Sequence, residues 1–382
     1  MEASRATSSK NPDKGWTILL SANSSWNIAH FRSGLIRGLK GDGYRIAVAA
    51  PEDEHSDLVR ALGADFLPIP IASAGTSMIE DARLFLRYCE IMREVRPQAF
   101  LGFTAKPNIY GSLAARMSGV RIINNITGLG TVFIKRSILT PIVMALYRLA
   151  LRGSSTVFFQ NRDDLELFVA KGLVRKGKTE LVPGDGVDLD RFSPARSAQK
   201  PGPFRFLLIA RLLWDKGVGE FVEAARIVRQ HHPDVMFQLL GPSEVENRTA
   251  IPAATLQEWA DEGIVELLGE IDDVRPAIAA SDCVVLPSYR EGLPRTLLEG
   301  SAMGKPLVAT DVPGCRDVVL DGETGFLCEV RSAESLAKAM RRMLELPPKQ
   351  RLEMGRRGRS NVELNFGEPL VVAKYVEALG PA

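Results

Sequence analysis

Two short stretches carry residues whose types and spacing could do chemistry. In Ser288-Tyr-Arg-Glu-Gly-Leu-Pro-Arg-Thr-Leu-Leu-Glu299, the carboxylates Glu291 and Glu299 flank Gly292, Leu293 and Pro294. An ionised glutamate accepts two hydroxyl hydrogen bonds, so the pair suits a hydroxyl-rich ligand. Pro294 fits the first position of a helix. Gly292 and Leu293 would then present backbone N–H groups at a helix N-terminus, where anions bind. Two solvated surface glutamates are the plainer alternative, and the strand-loop-helix context weighs against it. The second stretch, Leu207-Leu-Ile-Ala-Arg-Leu-Leu-Trp-Asp-Lys-Gly217, puts Arg211 at a strand end and Lys216 before a helix. Two cations there match a diphosphate; either one alone is commonly just solvated.

Other chemistries are disfavoured. Gly128-Leu-Gly130 is followed by Phe133, and Gly217-Val-Gly219 by Val222, so neither completes the GxGxxG of a dinucleotide fold. There is no GxxxxGK[ST], which excludes a P-loop nucleotidase. Cys89, Cys283, Cys315 and Cys328 form no CxxC pair, which argues against structural zinc or a disulfide scaffold and for reduced thiols. His30 is the one histidine near a plausible ligand loop, and helix surface explains it equally.

The elements that must hold these residues come in alternation. Short β-branched or aromatic runs, starting with Trp16–Ala22 and Arg45–Ala50, are each followed by a segment at helical spacing, and the pattern restarts at Phe204–Ala210. Near-continuous apolar strands between helices predict parallel sheets covered on both faces. With 382 residues, 45% hydrophobic and 25% charged, the chain is globular and long enough for two domains. The expected division is a loose arm at 1–14, a first Rossmann-like domain at 15–193, a linker at 194–203 and a second Rossmann-like domain at 204–360. Residues 361–382 form a C-terminal helix crossing back to the first. Ligands of such doubly wound sheets bind at the carboxyl ends of the strands. A net charge of +2 excludes a strongly basic nucleic-acid binder by bulk charge. No run reaches the ~18 apolar residues of a membrane span, and the arm lacks a signal peptide's apolar core. A cytoplasmic chain is expected.

Arg211, Lys216 and the Glu291–Glu299 pair, with Gly-Val-Asp-Leu-Asp-Arg-Phe at the linker, resemble the retaining glycosyltransferases of family 4 over nearly the whole chain. The resemblance implies the GT-B architecture, two Rossmann-like domains facing across a cleft. It implies that Arg211 and Lys216 hold the diphosphate of a nucleotide sugar, that Glu299 binds the ribose hydroxyls and that Glu291 contacts the donor sugar. Asp188-Leu-Asp190 looks like the DxD metal motif of other glycosyltransferases. That reading is rejected, because the pair lies in the linker motif and GT-B enzymes generally need no metal. No cofactor is expected.

The first half departs from the commonest family pattern, with Ser24-Ser25-Trp26-Asn27 where many relatives carry Gly-Gly and no histidine at 104–106. Thr104-Ala-Lys106-Pro-Asn-Ile-Tyr-Gly111, Asn124-Asn-Ile-Thr-Gly128 and Phe159-Gln-Asn-Arg-Asp163 resemble instead transferases that extend polyprenyl-diphosphate-linked sugars. Asn27, Arg32, Lys106, Asn125 and Thr127 are the candidate acceptor residues. Charge points the same way: between Glu94 and Asp163 there is no acid, while Arg96, Lys106, Arg116, Arg121, Lys135, Arg136, Arg148, Arg152 and Arg162 are all basic. Within that stretch an almost wholly apolar helix begins at Thr140-Pro141, rimmed by Lys135, Arg136, Arg148 and Arg152. Such a helix either docks on an anionic lipid surface or is buried core.

The function expected is transfer of a hexose or N-acetylhexosamine, of GalNAc or GlcNAc type, from a UDP-sugar to a lipid-linked glycan. The enzyme would act without a metal, as a monomer or weak dimer at the inner membrane face. A UDP-N-acetylglucosamine 2-epimerase on the same architecture would want more carboxylates or histidines in the first domain. A non-catalytic scaffold would not need the Arg211, Lys216, Glu291 and Glu299 set.

Overall fold

The computed structural model describes residues 15–71, 77–128, 140–194, 202–243 and 247–381. Two parallel sheets organise them. The first contains β1 (Thr17–Ser21), β2 (Arg45–Ala50), β3 (Asp65–Pro68), β4 (Ala99–Phe103), β5 (Arg121–Ile126), β6 (Thr156–Phe159) and β7 (Thr179–Leu181), in the order β3-β2-β1-β4-β5-β6-β7. The second contains β8 (Arg205–Ile209), β9 (Met236–Leu240), β10 (Glu266–Gly269), β11 (Cys283–Leu286), β12 (Leu307–Thr310) and β13 (Gly325–Cys328), in the order β10-β9-β8-β11-β12-β13. Every pairing is parallel. Strand order reverses between β1 and β4 in one sheet and between β8 and β11 in the other, and doubly wound sheets bind ligands at that switch point.

Strand alternation explains why the runs are apolar throughout. On β8, Phe206 and Leu208 pack into one buried cluster and Leu207 and Ile209 into another on the opposite face. On β1, Ile18 and Leu20 serve one layer and Leu19 the other. Each such side chain gains roughly 1.5–3 kcal/mol by burial, so helices must cover both faces.

The division of the chain differs from the expected one at both crossings. The first unit ends at Asp185 and resumes at Glu368; the second is Gly186–Gly367. The Gly-Val-Asp-Leu-Asp-Arg-Phe motif therefore is not the tail of the first domain. Val187 and Phe192 are buried with Leu207 and Leu297, Val187 N donates to Phe366 O at 2.9 Å, and Arg359 donates to Phe192 O at 2.7 Å. At the other end, helix Pro348–Asn365 stays in the second unit through its last turn, and only helix Glu368–Leu379 belongs to the first. Two glycines on helix Ser33–Gly41 let that last helix dock: a Cβ on Gly38 would lie 2.5 Å from Val372, and one on Gly34 would overlap the Glu368 carboxylate. The expected arm at 1–14 lies outside the described residues, as does most of the expected linker.

Two irregularities lie near the first switch point. Between β1 and β2 the helical segment is two helices, Ser25–Phe31 and Ser33–Gly41, broken at Arg32. After β4 the chain makes a π-helical turn, Pro107–Gly111, before helix Ser112–Met117.

Candidate functional site

In the second unit, Arg211 and Lys216 lie on the loop after β8, and Glu291 to Pro294 on the loop after β11. These are the two strands that flank the switch point. Lys216 closes a single 3-10 turn, Trp214–Lys216, and Gly217 follows with φ +73. A Cβ at Gly217 would collide with Pro287 O, so only glycine lets the two loops approach this closely. Two hydrogen bonds then tie them, from Tyr289 N to Asp215 O at 2.9 Å and from Ser288 Oγ to the same oxygen at 3.2 Å, and Thr310 Oγ1 at the end of β12 donates to Ser288 O at 2.5 Å. On the far side Gly314, at φ +81, packs against the Gly292 carbonyl. The outcome is an ion pair with Lys216 Nζ 2.5 Å from Glu291 Oε1, both side chains largely buried. Arg211 is exposed, and its side chain makes no hydrogen bond or ion pair with another described residue.

Pro294 precedes helix Arg295–Ala302 in extended conformation, and Leu293 packs on the core beneath. Glu299 is buried at 7% exposure. Burial pushes its carboxyl above the ordinary value of 4.5, and the pull of Arg295 and then Arg191 opposes this without cancelling it. Arg295 Nε donates to Glu299 Oε1 at 2.9 Å. Sequence reasoning missed Arg295 as a partner, although its i,i+4 spacing was available. Tyr289 was also missed: its hydroxyl donates to Glu220 at 2.6 Å, and Arg331 lies over its ring.

Asp188 is occupied locally, its Oδ1 accepting the backbone N–H of Asp190 at 3.1 Å and of Arg191 at 2.9 Å. That turn gives the Asp188 side chain a local role, to which Asp190 contributes its backbone N–H. Among the described residues no group of three or more His, Cys, Asp or Glu could hold a metal ion.

In the first unit, Arg32 and Asn125 both neighbour Phe103, the last residue of β4. The break between the first two helices swings Arg32 inward to 2% exposure, where it pairs with Asp185 and lies 4.4 Å over the Phe103 ring. Gln160 holds the same carboxylate at 3.0 Å. Asn125, opposite Phe103 in the register, donates to Tyr375 Oη at 2.8 Å, and Tyr375 packs between Phe103 and Phe158. Neither Asp185 nor Tyr375 was anticipated, being distant in sequence from the residues they hold. The Asn27 Oδ1, Arg32 Nε, Thr104 Oγ1 and Asn125 Oδ1 atoms are buried without a hydrogen-bond partner. Thr104 sits at φ +67, a strained conformation for a β-branched residue. Strain of that kind costs roughly 1–3 kcal/mol and concentrates at functional sites.

Lys106 is drawn elsewhere, to Asp81 at 3.1 Å, whose other oxygen accepts from Tyr110 at 2.8 Å. Thr127 is half-buried just past β5. Asn27 lies in the first turns of helix Ser25–Phe31, whose N-terminus is capped by Ser24. His30 Nδ1 bonds Trp26 O within one helical turn, and its ring stacks on Trp26.

Helix Thr140–Leu151 combines both readings of its apolar character. Tyr147, Ala150 and Leu151 are buried, while Ile142 and Leu149 face outward. Arg148 is exposed but committed, donating to Lys171 O and Gly172 O at 3.0 Å each and so capping the C-terminus of helix Arg162–Ala170. Arg152 is exposed. Lys135 and Arg136 lie outside the described residues. No described helix is long and apolar enough to cross a membrane.

Comparison with known proteins follows this division. Residues 203–346 match the family model described as "Glycosyl transferases group 1", and residues 17–161 that described as "Glycosyl transferase 4-like". The chain is 26% identical over 367 residues to the N,N'-diacetylbacillosaminyl-diphospho-undecaprenol alpha-1,3-N-acetylgalactosaminyltransferase of Campylobacter jejuni subsp. jejuni serotype O:2, covering 92% of this chain and 95% of the relative. It is 25% identical to the UDP-Gal:alpha-D-GlcNAc-diphosphoundecaprenol alpha-1,3-galactosyltransferase of Escherichia coli, over 72% of this chain and 74% of that one. Among solved structures, Anabaena HepE in complex with UDP and glucose superposes with a TM-score of 0.78 at 17% identity, covering 95% of this chain and 98% of that one. A glycosyltransferase from Rickettsia africae gives 0.76 at 18% identity, over 95% and 97%. With two parallel-sheet α/β domains and both family matches, the chain belongs to the group 1, GT4-like glycosyltransferases and has their GT-B fold.

Proposed function

We propose that this glycosyltransferase moves a hexose or N-acetylhexosamine, of the galactose or N-acetylgalactosamine type, from a UDP-sugar to a polyprenyl-diphosphate-linked sugar. The carrying observation is Arg211, Lys216 and Glu291 on the two loops of the switch point with Glu299 on the helix that follows, in a chain aligned almost end to end with a transferase of that class. Arg211 and Lys216 take the diphosphate. Glu299 accepts ribose hydroxyls from its buried seat, and Glu291 faces the sugar.

Transfer is proposed to retain the anomeric configuration by front-side displacement. The bond from the sugar C1 to the β-phosphate oxygen breaks while the acceptor oxygen bonds to C1 on the same face, and the acceptor proton passes to the departing diphosphate. The protein's part is orientation and stabilisation of the charge that builds on the leaving group. Arg211 and Lys216 counter that negative charge, and transfer is proposed to need no divalent ion.

For the acceptor we propose the carboxyl edge of the first sheet, with Arg32, Asn125, Asn27 and Thr127 near the reacting sugar. Peripheral attachment to the inner membrane face is proposed through helix Thr140–Leu151. Its outward Ile142 and Leu149 would insert, and Arg152 with the neighbouring basic residues would meet anionic headgroups. The epimerase alternative is not favoured by the relatives, which are named for sugar transfer.

The test is an assay of purified protein with UDP-galactose, UDP-N-acetylgalactosamine and their gluco-epimers, with and without a short polyprenyl-diphosphate-linked sugar. Acceptor-dependent UDP release that survives excess chelator is expected. Epimer formation without transfer would overturn the proposal, and abolition by chelator with rescue by manganese would overturn its metal-independent form.

A further inference from the structure

We propose that Glu291, acting through its ion pair with Lys216, makes the donor site prefer a sugar-loaded nucleoside diphosphate over the bare nucleoside diphosphate left after turnover. This rests on the reading of the site as diphosphate-binding. The two cations of the site are not equivalent. The exposed Arg211 guanidinium makes no hydrogen bond or ion pair with another described residue, whereas Lys216 Nζ is held at 2.5 Å by Glu291. An incoming diphosphate meets Arg211 freely but must compete with a carboxylate for Lys216.

The competition cannot be relieved by moving the backbone. Asp215 O anchors Tyr289 N and Ser288 Oγ, Thr310 ties Ser288 O, and Gly314 is wedged against the Gly292 carbonyl. Glu291, 13% exposed beside Lys216, is carried on this anchored loop and so remains within reach when Lys216 turns to a phosphate. A carboxylate so shielded from water is stabilised by any donor that takes the place of Lys216 and opposed by any added negative charge. The hexose of a nucleotide sugar brings hydroxyl groups that supply one. A bare diphosphate brings only negative charge and leaves like charges facing each other. The same pair thus favours the substrate and speeds loss of the product.

Titration calorimetry of the full chain with UDP, UDP-galactose and UDP-N-acetylgalactosamine tests this, using wild type, Glu291→Gln, Lys216→Met and the double variant. Wild type is expected to bind the better UDP-sugar several-fold more tightly than UDP. Glu291→Gln is expected to bind UDP at least fivefold more tightly than wild type and to lose most of that preference. In the Lys216→Met background, the same Gln substitution is expected to change UDP affinity by less than twofold. Should Glu291→Gln not fold, as judged by its unfolding transition, Glu291→Leu is the second variant, with the same gain expected. Equal or weaker UDP binding by a folded Glu291 variant overturns the inference while leaving the donor site in place. So does a full gain that persists without Lys216. Wild-type protein that binds neither UDP nor either UDP-sugar overturns the donor reading and the inference with it.

Discussion

Glu299→Gln separates a carboxylate kept for a ligand from one kept for the fold. Glu299 is buried, and even with Arg295 Nε at 2.9 Å its carboxyl lies above the ordinary 4.5. The surroundings therefore disfavour its charge. An amide of the same shape removes that desolvation cost and still offers Arg295 an acceptor oxygen, and the Arg295 side chain, 20% exposed, can be solvated once the carboxylate charge is gone. Unfolding free energy is expected to change by less than about 1 kcal/mol. Ligand binding should respond differently, because a hydrogen bond to a charged acceptor is worth about 1.5–3 kcal/mol. At about 1.4 kcal/mol per decade, UDP affinity should fall tenfold or more. The pH dependence has a definite sign. The unfolded chain releases this proton at a lower pH than the folded one. The Glu299 contribution to stability therefore falls as pH rises from about 4.5 through the raised folded value, then levels off. Glu299→Gln should remove that slope. Urea denaturation at several pH values gives the stability, and calorimetric titration gives the UDP affinity. A loss of more than about 2 kcal/mol with unchanged UDP affinity would refute the reasoning and leave Glu299 as a structural partner of Arg295.

Asp185→Ala leaves Arg32 buried without its counter-charge, and breaking such a pair costs about 3–5 kcal/mol; a loss under 1 kcal/mol in chemical denaturation would contradict the pairing. Co-sedimentation with anionic liposomes is expected to weaken as salt rises, since attraction is screened over ~8–10 Å. Ile142→Ser with Leu149→Ser should reduce it further without lowering stability, as both side chains already face outward. Wild-type protein that ignores anionic liposomes at low salt would make the helix a structural element only.

The two sheets were legible before any coordinates because parallel strands buried on both faces must be apolar at every position. Runs such as Phe206–Ile209 cannot hide that requirement. Lys216 and Glu291 were legible for a related reason. Each closely follows a strand, so local spacing alone carries it to the carboxyl edge. That the two touch at 2.5 Å needed the order β8-β11, which brings strands from distant parts of the chain side by side.

What sequence alone determined is therefore what local periodicity can encode: strand, helix, loop, and the edge on which a loop emerges. Tertiary structure decided the partners. Arg32 read only as a candidate acceptor residue, yet the break between two helices turns it inward to Asp185, a contact no helical spacing contains. Asn125 is held by Tyr375, which reaches it only because the last helix leaves the second unit after Gly367 and packs over Gly34 and Gly38. Glu299 read as an open acceptor, and burial raised its carboxyl while Arg295 claimed one of its oxygens. The common reason is physical. Desolvation and ion pairing depend on what the rest of the chain places within a few ångströms, and that is a property of the packed molecule rather than of any segment.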